Sequence, residues 1–300
     1  MLTKTIHPFG SPLIYDSFAI LNPKRCIVPS VNGKHEKTQH MRQIVTILIL
    51  VFMTTELFSQ IMTVEQIDTD LHNTYSKILF YRYGESIEWD SIEKENLIFN
   101  AKISQFISKN PQTLTFPFDS LLKDNFKIVS SEDNLLRIYS WDTWMGGTMH
   151  YFNNIYQYKT GENVLSEFYD SDNGGPSCFY SQINTLKAND KTYYLAINNR
   201  ILSTKDVVQS IQIFAIENKS LNDSVNLIRT EDGYVSSIDV NFDYFSVVDR
   251  PERPIVLIKY DKDLKTIYIP IVNDNGKVTD RFILYKFTGQ YFEHIETEIK

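Results

Sequence analysis

The sequence predicts an α+β protein that is mainly β: an N-terminal helical hairpin followed by an antiparallel β meander. In residues 61–124, apolar side chains recur three and four positions apart, which is the spacing of a helix face. In residues 125–300, runs rich in Ile, Val, Tyr and Phe alternate with short clusters of Asn, Asp, Gly and Lys, as strands and turns do. Aromatic residues make up 13% of the chain and favour half-buried strands.

The first 60 residues are predicted to lie outside this fold. Residues 41–60, MRQIVTILILVFMTTELFSQ, have the layout of a secretory signal peptide, in which Arg42 precedes the apolar run 44–53. A membrane span needs about 20 apolar residues, so an uncleaved anchor is the weaker alternative. Residues 1–40 show neither a helical nor a strand period. We interpret them as a non-native or disordered leader before a start at Met41, with an extended positive region as the alternative.

Charge and cysteine content narrow the classes of partner. Cleavage near residue 60 leaves 24 basic and 34 acidic residues, a net charge of about −10. A chain of this charge is repelled by nucleic acid and by anionic membrane surfaces, and no stable membrane span is expected after cleavage. Cys178 then stands alone, so no disulfide framework is predicted. The signal-peptide form of residues 41–60 and a composition rich in Ile, Asn, Lys and Tyr resemble those of exported proteins of Gram-negative bacteria. The signal peptide implies a secreted or periplasmic location.

The helical segment is predicted to contain two helices joined by a short connection. The first spans 64–84, and Thr63 with Gln66 can form a capping box at its start. The second spans 91–108, with Asp90 as its start signal and Asn-Pro after it as a stop. Adjacent helices with a short connection predict an antiparallel hairpin.

The β segment is predicted to hold about ten to twelve strands with short connections. A sandwich, a rolled sheet and a barrel all fit this pattern. A propeller is less favoured, because twelve strands would make only three blades of four. Pro270 inside IYIPIV predicts an edge strand or a bulge. The polar segment DRPERP, 249–254, is expected to connect two sheets.

The stretch 140–152, SWDTWMGGTMHYF, is predicted to be a β hairpin with a wide aromatic loop. One interpretation is a ligand platform, in which tryptophan faces stack on sugar or aromatic rings while an acid and a histidine orient hydroxyl groups. The alternative is that the tryptophans cover the core and the paired glycines make the turn. The candidate ligand-binding residues are Trp141, Asp142, Trp144 and His150.

The stretch YDSDNGGPSCFY, 169–180, holds the candidate metal ligands Asp170 and Asp172. An EF-hand loop starting at Asp170 fails at its fifth and twelfth positions, which are Gly174 and Ser181. Calcium at a site of another kind is therefore the cofactor considered, with a polar turn as the alternative. A nucleophilic cysteine would need a histidine base nearby, and we expect Cys178 to be buried and inert instead.

These patterns favour an exported, non-enzymatic binding module for an extracellular or cell-envelope ligand such as a glycan. One alternative is a hydrolase of envelope polysaccharide or peptide, since a pair of suitably spaced carboxylates suffices for glycoside cleavage. Another is a structural or inhibitory protein that binds a protein partner.

Overall fold

The computed structural model describes residues 62–174 and 177–299. The predicted leader, 1–40, and the predicted signal peptide, 41–60, lie outside the described residues. Within those residues the fold is α+β and mainly β, as predicted: two helices precede fifteen strands. None of the helices in this described part is both long and apolar enough to cross a membrane.

The two helices are α1 (Val64–Tyr83) and α2 (Trp89–Lys109). The predicted capping box is confirmed, because Thr63 Oγ1 accepts a hydrogen bond from the Gln66 amide at 3.3 Å and Gln66 Oε1 accepts one from the Thr63 amide at 2.9 Å. The second helix begins two residues earlier than predicted, with Glu88 as its N-cap. Asp90 therefore lies in the first turn, where its negative charge complements the helix dipole, and does not cap the helix.

The strands form three sheets, which we name A, B and C. Sheet A contains β1 (Lys127–Ser130), β2 (Leu136–Asp142), β3 (Phe152–Thr160) and β4 (Asn163–Tyr169). Sheet B contains β5 (Phe179–Ala188), β6 (Lys191–Ile201), β7 (Asp206–Glu217), β8 (Ser220–Asn222) and β11 (Ser237–Asp243). Sheet C contains β9 (Ile228–Thr230), β10 (Gly233–Val235), β12 (Lys259–Asp261), β13 (Thr266–Val272), β14 (Val278–Phe287) and β15 (Phe292–Ile299).

The strand orders are β1-β2-β3-β4 in sheet A, β11-β7-β6-β5 in sheet B with β8 beside β7, and β10-β9-β15-β14-β13-β12 in sheet C. All pairs among the described strands are antiparallel except β9 with β15, so the predicted meander is interrupted there. Each of the three sheets has two free edges, so the described strands do not form a closed barrel. Pro270 lies at a register shift between β13 and β14, which confirms the predicted bulge. The segment 249–254 connects sheet B to sheet C, also as predicted.

The helices and the three sheets stack in layers, in the order helices, sheet A, sheet B and sheet C. Sheet A packs against the helices through Tyr139 and Trp141, and its other face packs on sheet B through Ile138. Sheet B in turn buries Leu195 and Ile197 against sheet C. Strands β2 and β6 are therefore buried on both faces, although neither belongs to a parallel sheet. The edge where the β2–β3 loop meets sheet B is where the candidate site lies.

Candidate functional site

Trp141 is a core residue. It lies on the helix-facing side of β2 and has no exposed surface. Its ring stacks against Phe126 at 5.6 Å and Phe168 at 5.9 Å between centroids, and Phe99 meets its edge at 5.5 Å. Both faces of the indole are thus covered by protein. This burial removes Trp141 from the candidate ligand-binding residues.

Trp144 joins the β2–β3 loop to helix α1. Its Nε1 donates a hydrogen bond to Tyr75 Oη at 3.0 Å, and the Tyr75 hydroxyl donates to the Asp142 carbonyl at 3.0 Å. The ring is half-buried, at 5.3 Å from the ring of Tyr83 and 5.7 Å from that of His150. Burial, and then the Asp142 carboxylate, raises the pKa of Tyr75 well above its ordinary value, so this hydroxyl stays a donor. Trp144 therefore holds the loop in place.

Asp142 and His150 form a carboxylate–imidazole pair across the loop. Asp142 is buried; its Oδ1 accepts a hydrogen bond from the Trp144 amide at 2.8 Å, and its Oδ2 is hydrogen-bonded to His150 Nδ1. The His150 amide donates to the Ile201 carbonyl at 3.1 Å, and its ring stacks on Phe152. The pair fixes the orientation and tautomer of the imidazole. Within the described residues, no hydrogen-bond partner engages the second ring nitrogen, Nε2.

The loop depends on the first of its two glycines. A Cβ atom on Gly146 would lie 1.9 Å from the Met149 carbonyl oxygen, which is closer than any real contact. At Gly147 a Cβ atom would meet nothing within 4 Å. The chain therefore doubles back between Gly146 and Met149, just before His150, and only glycine at 146 permits so close an approach.

A cavity of about 460 Å³ opens beside His150. The β2–β3 loop, the turn between β6 and β7, the end of β11 and the segment 253–255 form its walls. The apolar lining residues are Phe179, Ile201, Val207, Phe242, Pro254 and Ile255. Besides His150, the polar lining residues are Thr148, Asn199, Ser203, Thr204, Tyr244 and Arg253. None of the described residues that line it is Asp or Glu.

A buried amide pair supports the floor of this cavity. Gln209 of β7 is fully buried and its Nε2 donates to Asn199 Oδ1 and to the Ile255 carbonyl, each at 2.8 Å. Its Oε1 accepts from the Leu257 and Ile258 amides at 2.9 and 2.8 Å. One side chain thus holds the segment that leads into sheet C against sheet B. The position of Arg253 and its neighbours follows from this attachment.

Sequence reasoning found His150 and Asp142 but missed the rest of the cavity. The sequence marked residues 249–254 only as a polar connection, and Asn199, Val207 and Phe242 read as ordinary strand residues. They meet because β6, β7 and β11 are neighbours in sheet B. The one local signal was the charged, proline-rich composition of RPERP, which is typical of an ordered, exposed segment.

The candidate metal ligands serve a turn. Asp170 Oδ1 accepts a hydrogen bond from the Asp172 amide at 3.1 Å and caps the short 3-10 turn Ser171–Asn173. Asn153 Oδ1 anchors the same turn through the amide and hydroxyl of Ser171. In residues 62–174 and 177–299, no group of three His, Cys, Asp or Glu side chains is placed to hold a metal ion. We therefore propose no metal site at Asp170 and Asp172.

Cys178 lies in the core between sheets A and B, with 1% of its surface exposed. Burial raises the pKa of its thiol to about 12. A thiol that keeps its proton at neutral pH is a poor nucleophile. The expectation of a buried, inert cysteine fits this position.

A scan against protein-family models, a search of curated proteins and a search of solved structures found no significant match. The function proposed below therefore rests on the geometry of the site.

Proposed function

We propose that the chain is an exported, non-enzymatic binding module that holds a small, mainly apolar ligand in the cavity beside His150. The observation that carries the proposal is the cavity itself, with a volume of about 460 Å³, apolar walls and a few oriented polar groups. Small-molecule sites have this size and this combination of groups. Export rests on the signal-peptide pattern of residues 41–60.

The buried position of Trp141 changes the class of ligand from the one the sequence suggested. A glycan site needs an exposed aromatic face and many hydrogen-bonding groups, whereas Trp141 is covered on both faces. The cavity instead offers Phe179, Phe242 and Ile255 as contact surfaces. These side chains favour a ligand with a hydrocarbon or aromatic body, because burying apolar surface supplies most of the binding free energy.

Hydrolysis is a second candidate function, and the Asp142–His150 pair favours it. A carboxylate on Nδ1 that orients a histidine whose Nε2 is available is the arrangement of a general base. Water activated by such a base could cleave an ester or amide held in the cavity. Release of nitrophenolate from nitrophenyl butyrate, absent in His150→Gln, would favour this function over binding alone.

The proposed binding is tested with prodan, a neutral dye that fluoresces strongly in apolar surroundings. We expect the full chain to bind prodan saturably at one site, because the rings of the dye can pack against the apolar walls of the cavity. Thr204→Trp places a large ring on an exposed lining position at the rim and should weaken prodan binding at least tenfold. Fluorescence titration of both proteins measures the effect.

Leu202→Trp is the matched control, since Leu202 is an exposed residue two positions away that does not line this cavity. It should bind prodan as the unchanged chain does. Thermal unfolding of both variants checks that each is folded. Equal prodan binding by the unchanged chain and Thr204→Trp would contradict the proposed site.

A further inference from the structure

The charges around the cavity are unlike those of the chain as a whole. The chain has a net charge of −7, yet the lining residues include Arg253 and His150 and, among the described residues, no carboxylate. Each acid that adjoins the lining is already engaged. Asp142 is buried and bound by His150 and the Trp144 amide, and Asp206 accepts a hydrogen bond from Ser203 Oγ at 2.8 Å. Asp243 lies 3.6 Å from Lys205 Nζ, and Glu252 lies 3.8 Å from Arg250 Nη1. An acidic protein that keeps carboxylates out of one apolar cavity and places an arginine there presents a site for an anion.

Arg253 keeps an uncompensated positive charge. Its Nη1 donates to the carbonyls of Arg250 and Glu252 at 2.5 and 2.7 Å, and its Nη2 donates to the Val248 carbonyl at 2.7 Å. These carbonyls fix the guanidinium but carry no net charge. Within the described residues, no Asp or Glu lies at ion-pair distance from Arg253, whereas neighbouring Arg250 pairs with Glu252 at 3.8 Å.

The number of donors left on Arg253 points to a carboxylate. A guanidinium has five N–H donors, and three are used by carbonyls, so two remain. Two N–H donors match the two oxygens of one planar carboxylate. A phosphate monoester would bring a charge of about −1.5 to −2 and three acceptor oxygens, more than this single arginine satisfies.

The apolar walls and the volume set the rest of the ligand. Water occupies about 30 Å³ per molecule in the liquid, so the cavity encloses roughly 10 to 15 non-hydrogen atoms, and a somewhat larger molecule such as prodan extends out through its open side. We infer that the cavity selects monocarboxylic acids of this size, with the carboxylate at Arg253 and the apolar body against Phe179, Phe242 and Ile255. The inference rests on the proposed function and adds the chemical class of the ligand.

The test compares acids with their uncharged amides of the same shape. Octanoate, octanamide, cinnamate and cinnamamide compete with prodan on the full chain, and the ratio of amide to acid dissociation constants is the measured quantity. We expect each acid to bind at least tenfold more tightly than its amide, as for a hydrogen bond to a charged group. Arg253→Gln should bring both ratios close to one, and Arg253→Lys should keep part of the preference.

Arg250→Gln is the matched control, because Arg250 lies on the same segment outside the lining, and its ratios should equal those of the unchanged chain. If Arg253 only holds the cavity wall in place, Arg253→Gln should weaken the binding of acid and amide equally. That result overturns the inference. Three further results overturn the inference although prodan binds. The acids and amides could compete with equal affinities, or none of the four compounds could compete. Octyl phosphate could also compete more strongly than octanoate. In each of these cases the cavity still binds an apolar molecule, so the proposed function stands. Absence of prodan binding contradicts the proposed function itself.

Discussion

The path of the β2–β3 loop that carries His150 depends on a close contact of the backbone at Gly146. Gly146 approaches the Met149 carbonyl so closely that a Cβ atom there would lie 1.9 Å from the oxygen. Carbonyl oxygens of the main chain cannot move aside as a flexible side chain can. Any other residue at this position must therefore displace the loop that carries His150 to its place beside the cavity.

Gly146→Ala is expected to lower the free energy of unfolding by about 1 to 3 kcal/mol, the usual cost of forcing extra atoms into a packed site. It should also weaken prodan binding, because the displaced loop moves His150 and Thr148 out of the cavity wall. Urea unfolding and fluorescence titration measure the two effects. Both should appear together, since one displacement causes both.

Gly147→Ala is the control for this substitution. A Cβ atom at Gly147 meets nothing within 4 Å, so stability should change by no more than about 0.5 kcal/mol. A loop that tolerated alanine equally well at both positions would show that the close approach at Gly146 does not determine its conformation.

Sequence reasoning reached the right stretch at this scale but could not separate its two tryptophans. Trp141 and Trp144 are three residues apart, yet strand β2 carries the first into the core while the second bridges the loop to Tyr75. Strand alternation predicts that neighbouring side chains point to opposite faces. It does not reveal that helices cover one face and sheet B the other, so exposure could not be read from the pattern.

At the scale of elements, strand β7 holds the cavity wall through one glutamine. Gln209 satisfies the Ile255 carbonyl and the amides of Leu257 and Ile258, all of them in buried residues. The segment between sheets B and C has no strand partner at these residues. The Gln209 side chain therefore supplies the hydrogen bonds that a neighbouring strand would supply within a sheet.

Gln209→Leu is expected to lower the free energy of unfolding by at least about 3 kcal/mol. Leucine has a similar size but leaves two buried amides and one buried carbonyl without partners, each costing about 1–3 kcal/mol. Prodan affinity should fall as well, because Ile255 is part of the cavity lining. Urea unfolding and fluorescence titration measure both quantities.

Gln182→Leu on strand β5 of the same sheet is the control. Gln182 is exposed and its Nε2 donates to Asn184 Oδ1 alone among the described residues. Its replacement should change stability by about 0.5 kcal/mol or less. Equal effects at the two glutamines would mean that the segment 255–258 is held by its apolar side chains and not by Gln209.

Both helices were predictable at this scale because their apolar period and the Thr63–Gln66 capping box are local signals. The start of α2 was not, since Glu88 makes no capping bond with its side chain, and Asp90, which has the residue type of a cap, lies two residues after it. The division of the strands into three sheets was also out of reach. It depends on pairings such as β9 with β15, which lie about sixty residues apart in sequence.

At the scale of the whole molecule, buried tyrosines lie within or between the layers. Tyr75 and Tyr139 lie between the helices and sheet A, while Tyr156, Tyr180 and Tyr194 lie between sheets A and B. Burial is the main cause that raises the pKa of each of these five phenols above its ordinary value. Alkaline pH therefore acts on both of these layer boundaries, between the helices and sheet A and between sheets A and B.

Stability is expected to fall steeply as pH rises above about 10. An unfolded tyrosine loses its proton near that pH, whereas the folded protein holds it, so the unfolded state binds fewer protons and is favoured with increasing pH. Each phenol that keeps its proton contributes about 1.4 kcal/mol per pH unit between its unfolded and folded pKa values. Below pH 10 the contribution is complete and the stability should not change through these groups. Urea unfolding between pH 8 and about 11 measures the slope.

Tyrosinate absorbance distinguishes this cause from a general loss of stability through charge repulsion. If burial holds the protons, absorbance should rise in two stages: a gradual one for exposed tyrosines, and a jump that coincides with the loss of near-ultraviolet circular dichroism. Tyr234→Phe, at a position that is 52% exposed, should leave the size of the jump unchanged, because unfolding does not uncover a buried ring there. Tyr194→Phe should reduce only the jump, since this phenol becomes accessible when sheets A and B separate. Ionisation of the Tyr194 phenol while the circular dichroism persists would mean that the two sheets open independently, and that their shared core is not one cooperative unit.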